Sequence, residues 1–460
     1  MRRTTLMKGL ALVVSSATLF GMAGCGSGNS SGDGSKKADS ASCTAYKKYG
    51  DLSGKKISTY TPWIDQEGDA TVKAFNEFAN CTGAKVEHEG SRDMAAQLPV
   101  RVKAGSAPDV AIMPQLGMIK NMVATGKVKD VPAKAAANVK KYYSKDWQDY
   151  STLDGKLVSI PVDANAKSFI WYSPKAFKEK GYKVPTTWDE MMDLTKKIAD
   201  DNKGDASVKP WSVGLEGGAD SGWPGTDWLE DAVLRFTDAD TYNKWVDHTI
   251  PFNDPKILAA FKEIGKILKD PAYVNGGFGD IQSIASTAWQ DAGTPLVDGK
   301  GYLMHMALFY QSNYQTANPD IKIAKDGDVW AFPMPSKDAQ HKSMIGGGDF
   351  AIAFSDKPEV QKFEEFLSSP EYANARAKAM TGWITANTGL DEKNLKPIDK
   401  LAYESLTAEG TTFRFDASDM MPAEVGTGSF WKQMIAYFAQ NKSEQQVLDA
   451  VEESWPSDVK

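Results

Sequence analysis

The chain has 460 residues, 42% of them hydrophobic, with 53 Lys and Arg against 60 Asp and Glu and a formal net charge of −7. That acidity argues against a nucleic-acid partner and against a polybasic hold on anionic lipid. The length allows a large core, normally split into two domains, and no apolar run of about 18 residues predicts a transmembrane helix beyond the amino-terminal leader.

The first forty residues carry an address. Arg2, Arg3 and Lys8 precede an apolar stretch over 9–22 that is too short and too rich in Ser and Thr to remain in a bilayer. Met22-Ala23-Gly24-Cys25 closes it with tiny side chains before a Cys. A lipoprotein signal peptidase needs that arrangement, because it grips an extended chain whose thiol has accepted a diacylglycerol. The reading is a signal peptide over 1–24, lipidation at Cys25 and a chain that works outside the cytoplasm; the alternative is an ordinary secretory signal with an incidental Cys. Removing the leader leaves 50 Lys and Arg against 60 Asp and Glu, a net charge near −10. Residues 25–50 read as a flexible tether, Gly- and Ser-rich for most of their length. Its length, and the lack of Asp after Cys25, suit a Gram-positive surface. A G-x-S-x-G match at 28–32 lacks the strand and helix that a nucleophile elbow requires.

Cys43 and Cys81 then remain as an even pair in an exported chain, which favours a disulfide over two free thiols. His88, His248, His305 and His341 have no ligand spacing and no C-x-x-C occurs, so neither a metal nor a cofactor is expected.

From Lys55 onward short apolar runs alternate with amphipathic stretches. Strands are predicted at 56–60, 84–89, 109–113 and 157–161, with helices at 69–80, 94–104 and 117–125. A second series begins with a strand at 168–172 and a helix opened by the capping box Thr187-Trp188-Asp189-Glu190. Asp254-Pro255 starts another helix, with Ile257, Leu258, Phe261, Ile264 and Leu268 at helical spacing. Further strands are predicted at 301–306, 329–334 and 349–354, and helices at 357–379, 430–439 and 444–454. This alternation predicts an α/β chain of two lobes, each a mostly parallel sheet flanked by helices.

Several loops combine aromatic rings with carboxylates, amides and Gly: Tyr60 to Glu67, Ser91-Arg92-Asp93, Pro114-Gln115-Leu116-Gly117, Gly222 to Trp228, Gly346 to Phe350 and Phe413 to Asp419. Sugar recognition requires that mixture. A pyranose stacks its C–H face on a ring, while planar polar groups each reach two neighbouring hydroxyls. Taken singly, each Trp reads first as core, the Gly run as a tight turn, and Asp416 and Asp419 as caps. Asp238-Ala239-Asp240 begins like a calcium loop but lacks the next acidic ligand and the Gly. Among 60 acidic residues no catalytic pair stands out, and neither a nucleophile triad nor a phosphate loop is visible, so no enzyme is expected.

At these loops the sequence resembles the extracellular solute-binding proteins of ABC sugar importers, and within them the alpha-glucoside-binding group related to maltodextrin-binding proteins. The resemblance rests on Gly50-Asp51-Leu52-Ser53-Gly54-Lys55, Ala107-Pro108-Asp109-Val110-Ala111, Val184-Pro185-Thr186-Thr187-Trp188-Asp189-Glu190, Gly222-Trp223-Pro224-Gly225-Thr226-Asp227-Trp228 and Phe413-Arg414-Phe415-Asp416. It implies a periplasmic-binding-protein-like fold, with an N-lobe over 51–161 and 344–386 and a C-lobe over 162–343 and 387–460. The hinge crossings would fall near Pro161-Val162, 335–344 and 385–389. Sugar would lie in the cleft and the lobes would close on it.

The resemblance places Trp63, Arg92 and Gln115 on the N-lobe side and Asn165 after the first hinge. Trp223, Asp227 and Phe309 would form the C-lobe wall, and Trp431 a stacking ring. Asp349, Asp416 and Asp419 would be hydroxyl partners. It departs from maltodextrin-binding relatives at Gln115-Leu116-Gly117, where they carry an acidic–basic pair, and at Asn165, where they carry an acid. The implied partners are an oligosaccharide, the permease subunits and, through the lipid alone, a membrane; the chain would be a monomer. Another oligosaccharide such as an alpha-galactoside, an extracellular glycosidase and an adhesin are the rival readings.

Overall fold

The computed structural model describes residues 43–456 apart from Arg92 and Gln115. The leader, Cys25, Arg92 and Gln115 therefore lie outside the described residues, as does most of the expected tether. Folded structure begins earlier than position 50. Thr44–Tyr49 forms a short 3-10 helix because Tyr46 and Tyr49 bury their rings against Phe366 and, for Tyr49, Phe78. Cys43, just before it, forms a disulfide with Cys81 in the helix Asp65–Thr82.

Two sheets carry the architecture. In the first, Lys56–Thr61 pairs in parallel with Lys85–Gly90 and with Val110–Met113. Phe350–Ala353 then adds antiparallel to Val110–Met113 and to Ile160–Pro161. The second sheet is built on Phe169–Tyr172, which pairs antiparallel with Gly301–His305 and Trp330–Pro333, while Lys209–Trp211 runs parallel to Gly301–His305. The α/β two-lobed fold class stands, but the strand directions are mixed rather than mostly parallel. Strands that return from the opposite sheet, such as Phe350–Ala353, arrive without a crossover helix and so enter antiparallel.

A third, small sheet was not foreseen. Ser343–Gly347 joins Thr412–Phe415 in parallel and Asn165–Ala166 antiparallel. Its strands continue directly into the first sheet through residues 162–164 and 348–349. A third crossing runs alongside, with Ala164 N donating to Ile384 O at 3.0 Å.

Helix boundaries follow local chemistry. Thr187 accepts from Glu190 N at 3.3 Å as predicted, while the Glu190 carboxylate reaches back one residue further, to Thr186 N at 2.7 Å. Asp254 accepts from Lys256 N at 2.8 Å. Asp238, the false start of a calcium loop, is the N-cap of Ala239–Val246. The predicted helix over 357–379 is two helices, Pro358–Leu367 and Pro370–Ala379, because Pro370 cannot donate into the preceding turn. Among the described residues no helix is long and apolar enough to cross a membrane.

Glu364 is an anomaly of this packing: it is buried in the helix Pro358–Leu367, and burial pushes its pKa up from 4.5 to about 8. The folded-state value lies above the unfolded one, so the stability tied to its proton is complete below pH 4.5 and lost as the pH climbs through about 8. Glu364→Gln should remove that loss, raising the unfolding free energy at pH 9 by about 1–3 kcal/mol while changing little at pH 5; urea unfolding at the two pH values measures it.

Candidate functional site

The helix Trp223–Phe236 places Trp223, Asp227 and Glu230 on one face through their spacing of four and three. Its start fits against the late helix: a Cβ on Gly222, whose φ is +112°, would sit 2.2 Å from the carbonyl oxygen of Trp431. Opposite that face stands Lys167, on the chain between the third and second sheets. Its ammonium donates to Asp227 Oδ1 at 3.0 Å and to Asp416 Oδ2, and lies 5.2 Å from the Trp223 ring centre.

Asp227, Glu230 and Asp416 bring carboxylate oxygens within 4.8 Å of one another, and all three are buried. Glu230 also accepts from Ala417 N at 2.8 Å and Ser418 N at 3.2 Å, tying down the turn after the strand Thr412–Phe415. Burial disfavours charge on every member. For Lys167 it is outweighed by Asp227, Asp416, Asp419 and Glu230, which raise its pKa well above the ordinary value. For Asp227 and Glu230, burial and the charge of Asp416 raise the pKa well above the carboxylate range. Asp416 Oδ1 has no donor among the described residues, and Asp416 is one of the causes that raise Glu230. Asp419 is half-buried at the rim, pushed up to about 7 by burial and Asp416.

Beside this cluster Trp223 meets Trp289 edge-on at 5.2 Å and Phe309 at 5.9 Å, and Trp289 meets Phe309 at 6.1 Å. All three rings remain half-exposed. The result is an aromatic corner adjoining a bank of carboxylates.

A second polar group lies where the chain crosses into the first sheet. Asp349 N donates to Asp163 Oδ1 at 2.6 Å, and burial raises both carboxyls, Asp349 further because of Asp163. Arg376 supplies the compensating positive charge. Its buried guanidinium lies 5.2 Å from the Trp63 ring and 5.6 Å from that of Trp383, at the start of the third crossing.

Against known proteins, residues 70–402 match the profile of the bacterial extracellular solute-binding protein family. The chain belongs to that family. Among curated members it is 34% identical over 430 residues to the alpha-glucosides-binding periplasmic protein AglE of Rhizobium meliloti, covering 91% of this chain and 90% of the relative. It is 32% identical to the osmoprotective compounds-binding protein GgtB of Synechocystis, covering 90% of this chain and 96% of that one. Among solved structures, apo RafE from Streptococcus pneumoniae superposes with a TM-score of 0.71 at 18% identity, covering 88% of this chain and 98% of RafE. Maltose-bound MalE3 of T. maritima superposes at 0.64 with 17% identity, covering 86% and 98%. These likenesses bear out the two-lobed solute-binding fold.

Of the residues singled out from sequence, Trp223, Phe309, Asp227, Asp416 and Asp419 come together in this solute-binding protein. Asp227 and Asp416 are 2% and 1% exposed and are committed to Lys167, whereas Asp419 is half-buried. Asn165 is half-buried in the third sheet, opposite Gly347. Trp63 and Asp349 are buried around the Asp163–Arg376 group. Trp431 is half-buried, with its backbone against Gly222.

Lys167, Trp289 and Arg376 were missed. Lys167 had a signal, since a lone cation beside a predicted strand faces an excess of acids. Trp289 had none, lying in a stretch without periodicity. Lys167→Met should strand Asp227 and Asp416 without their cation and cost about 3–5 kcal/mol of folding free energy at pH 7, read by urea unfolding.

Proposed function

We propose that the chain is the substrate-binding component of an ABC sugar importer and captures alpha-linked gluco-oligosaccharides. The observation that carries this reading is the half-buried corner of Trp223, Trp289 and Phe309 adjoining the Lys167–Asp227–Asp416 cluster, found in a chain whose relative AglE is named for alpha-glucosides. The rings offer the flat apolar face a pyranose needs, and Asp419 offers hydroxyl acceptors next to it. Arg92, Gln115, Asn165 and Trp431 are further ligand contacts, with Asp227 and Asp416, committed to Lys167, and Trp63 and Asp349, buried around Arg376, acting as supports.

The lobes, 51–161 with 344–386 and 162–343 with 387–460, bend about the three crossings. Ligand favours closure because it contacts both at once. The permease then receives the cargo from the closed form, and no bond is made or broken in the chain. The similarity to GgtB favours a second reading, in which the ligand is an osmoprotective compound.

Calorimetry against panose, isomaltose, maltotriose, raffinose and trehalose separates these readings. Binding to raffinose alone would overturn the glucoside assignment, and turnover of any sugar would overturn the binding-protein one. Trp223→Ala should weaken binding of the preferred sugar by about 1–3 kcal/mol in the same titration. We further propose that Cys25 carries a diacylglycerol that holds the protein at the outer face of the cell membrane. Cys25→Ala should therefore move it from the membrane fraction to the medium, followed by immunoblot.

A further inference from the structure

A cavity of about 460 Å3 opens beside the second crossing, a size within the range of small-molecule sites. Its walls include the buried Pro185, Phe332, Met334, Pro335 and Met344, with Leu401 from the helix Pro397–Thr407. Its ionisable side chains, Asp338, His341, Lys342 and Glu404, are all exposed, so charge is confined to the rim. A buried hydroxyl interrupts the apolar lining. Ser343 is 6% exposed, and its Oγ has no hydrogen-bond partner among the described residues. Such a group costs free energy until something supplies the missing bond.

Two rigid elements run from this cavity to the aromatic corner. Arg235 donates from Nε to Met334 O at 2.9 Å and from Nη2 to Ser343 O at 2.7 Å, holding both ends of the second crossing. It lies near the end of the helix that Trp223 heads twelve residues earlier, about 18 Å away. The helix Pro397–Thr407 lines the cavity with Leu401, Glu404 and Ser405, and it also carries Asp399. Asp399 accepts from Nε2 of Gln311, two residues after Phe309, at 2.6 Å. It accepts from Gly382 N, beside Trp383 of the third crossing, at 3.1 Å. The cavity is thus tied to two crossings and to two rings of the corner, yet none of its lining residues belongs to the candidate site.

We propose that this cavity is an effector site. It takes a small uncharged molecule with an apolar ring body and one hydroxyl, which pairs with Ser343 Oγ. Occupancy alters the affinity for sugar, because the crossings that bend on closure form part of the cavity wall. The linkage rests on the sugar-binding reading above; the cavity itself does not.

The test is calorimetry on the mature chain with 4-ethylphenol, with 4-ethyltoluene, which lacks the hydroxyl, and with the sugars named above. Ser343→Ala should weaken 4-ethylphenol by about fivefold or more, leave 4-ethyltoluene unchanged and not lower the melting temperature. Ala408→Trp, which fills the cavity from a half-buried position, should abolish binding of both. With 4-ethylphenol saturating, the affinity for the bound sugar should shift by about fivefold or more, and the sugar should shift the phenol by the same factor. No binding of the phenol, or a phenol affinity indifferent to both variants, overturns the cavity as a site. Unchanged sugar affinity, or outright displacement of the phenol by sugar, overturns the effector role. Failure of every sugar to bind overturns the importer reading and the linkage with it, while the phenol titrations still decide the cavity.

Discussion

One buried ammonium organises the candidate site. Lys167 leaves the third sheet with its side chain directed at Asp227, from a helix, and Asp416, from the end of a strand. Three carboxyls lie within a few ångströms of one another in a dry interior, and the Lys167 ammonium offsets part of their charge while burial and Asp416 favour the neutral form of Glu230. The position of the helix Trp223–Phe236 relative to the crossing strands follows, and with it the aromatic corner at the helix start. The crossing into the first sheet solves the same problem differently. There Asp163 and Asp349 face each other, and Arg376, stacked between two indoles, supplies the positive charge.

The elements were largely legible because each has a local cause. Apolar alternation located Lys56–Thr61 and Val110–Met113, and cap residues located the starts of Trp188–Asp201 and Pro255–Leu268. Strand direction was not legible, since it depends on which sheet a segment returns to, and nothing within Phe350–Ala353 encodes its two antiparallel neighbours. The third sheet escaped for a related reason. Asn165–Ala166 is two residues long, and its pairing with Ser343–Gly347 is set by contacts almost two hundred positions away.

The site was legible as residue types rather than as roles. Aromatic rings next to carboxylates picked out loops that the fold partly brings together, yet the loops do not say which acid is buried. Asp227, Asp416 and Asp419 look alike in sequence, and only the last is less than fully buried as a residue. Trp63 and Trp223 are equally conspicuous in their loops, but one is buried beside Arg376 and the other stands half-open beside Trp289. Burial is a property of the assembled elements, so neighbouring sequence does not assign it.

The bridge between Cys43 and Cys81 fixes the first folded residue to the end of the helix Asp65–Thr82, within the unit built on the first sheet. Any pull arriving through the amino-terminal segment is borne there. It passes from a covalent cross-link into a packed helix and the first sheet, and the three crossing segments are outside that path.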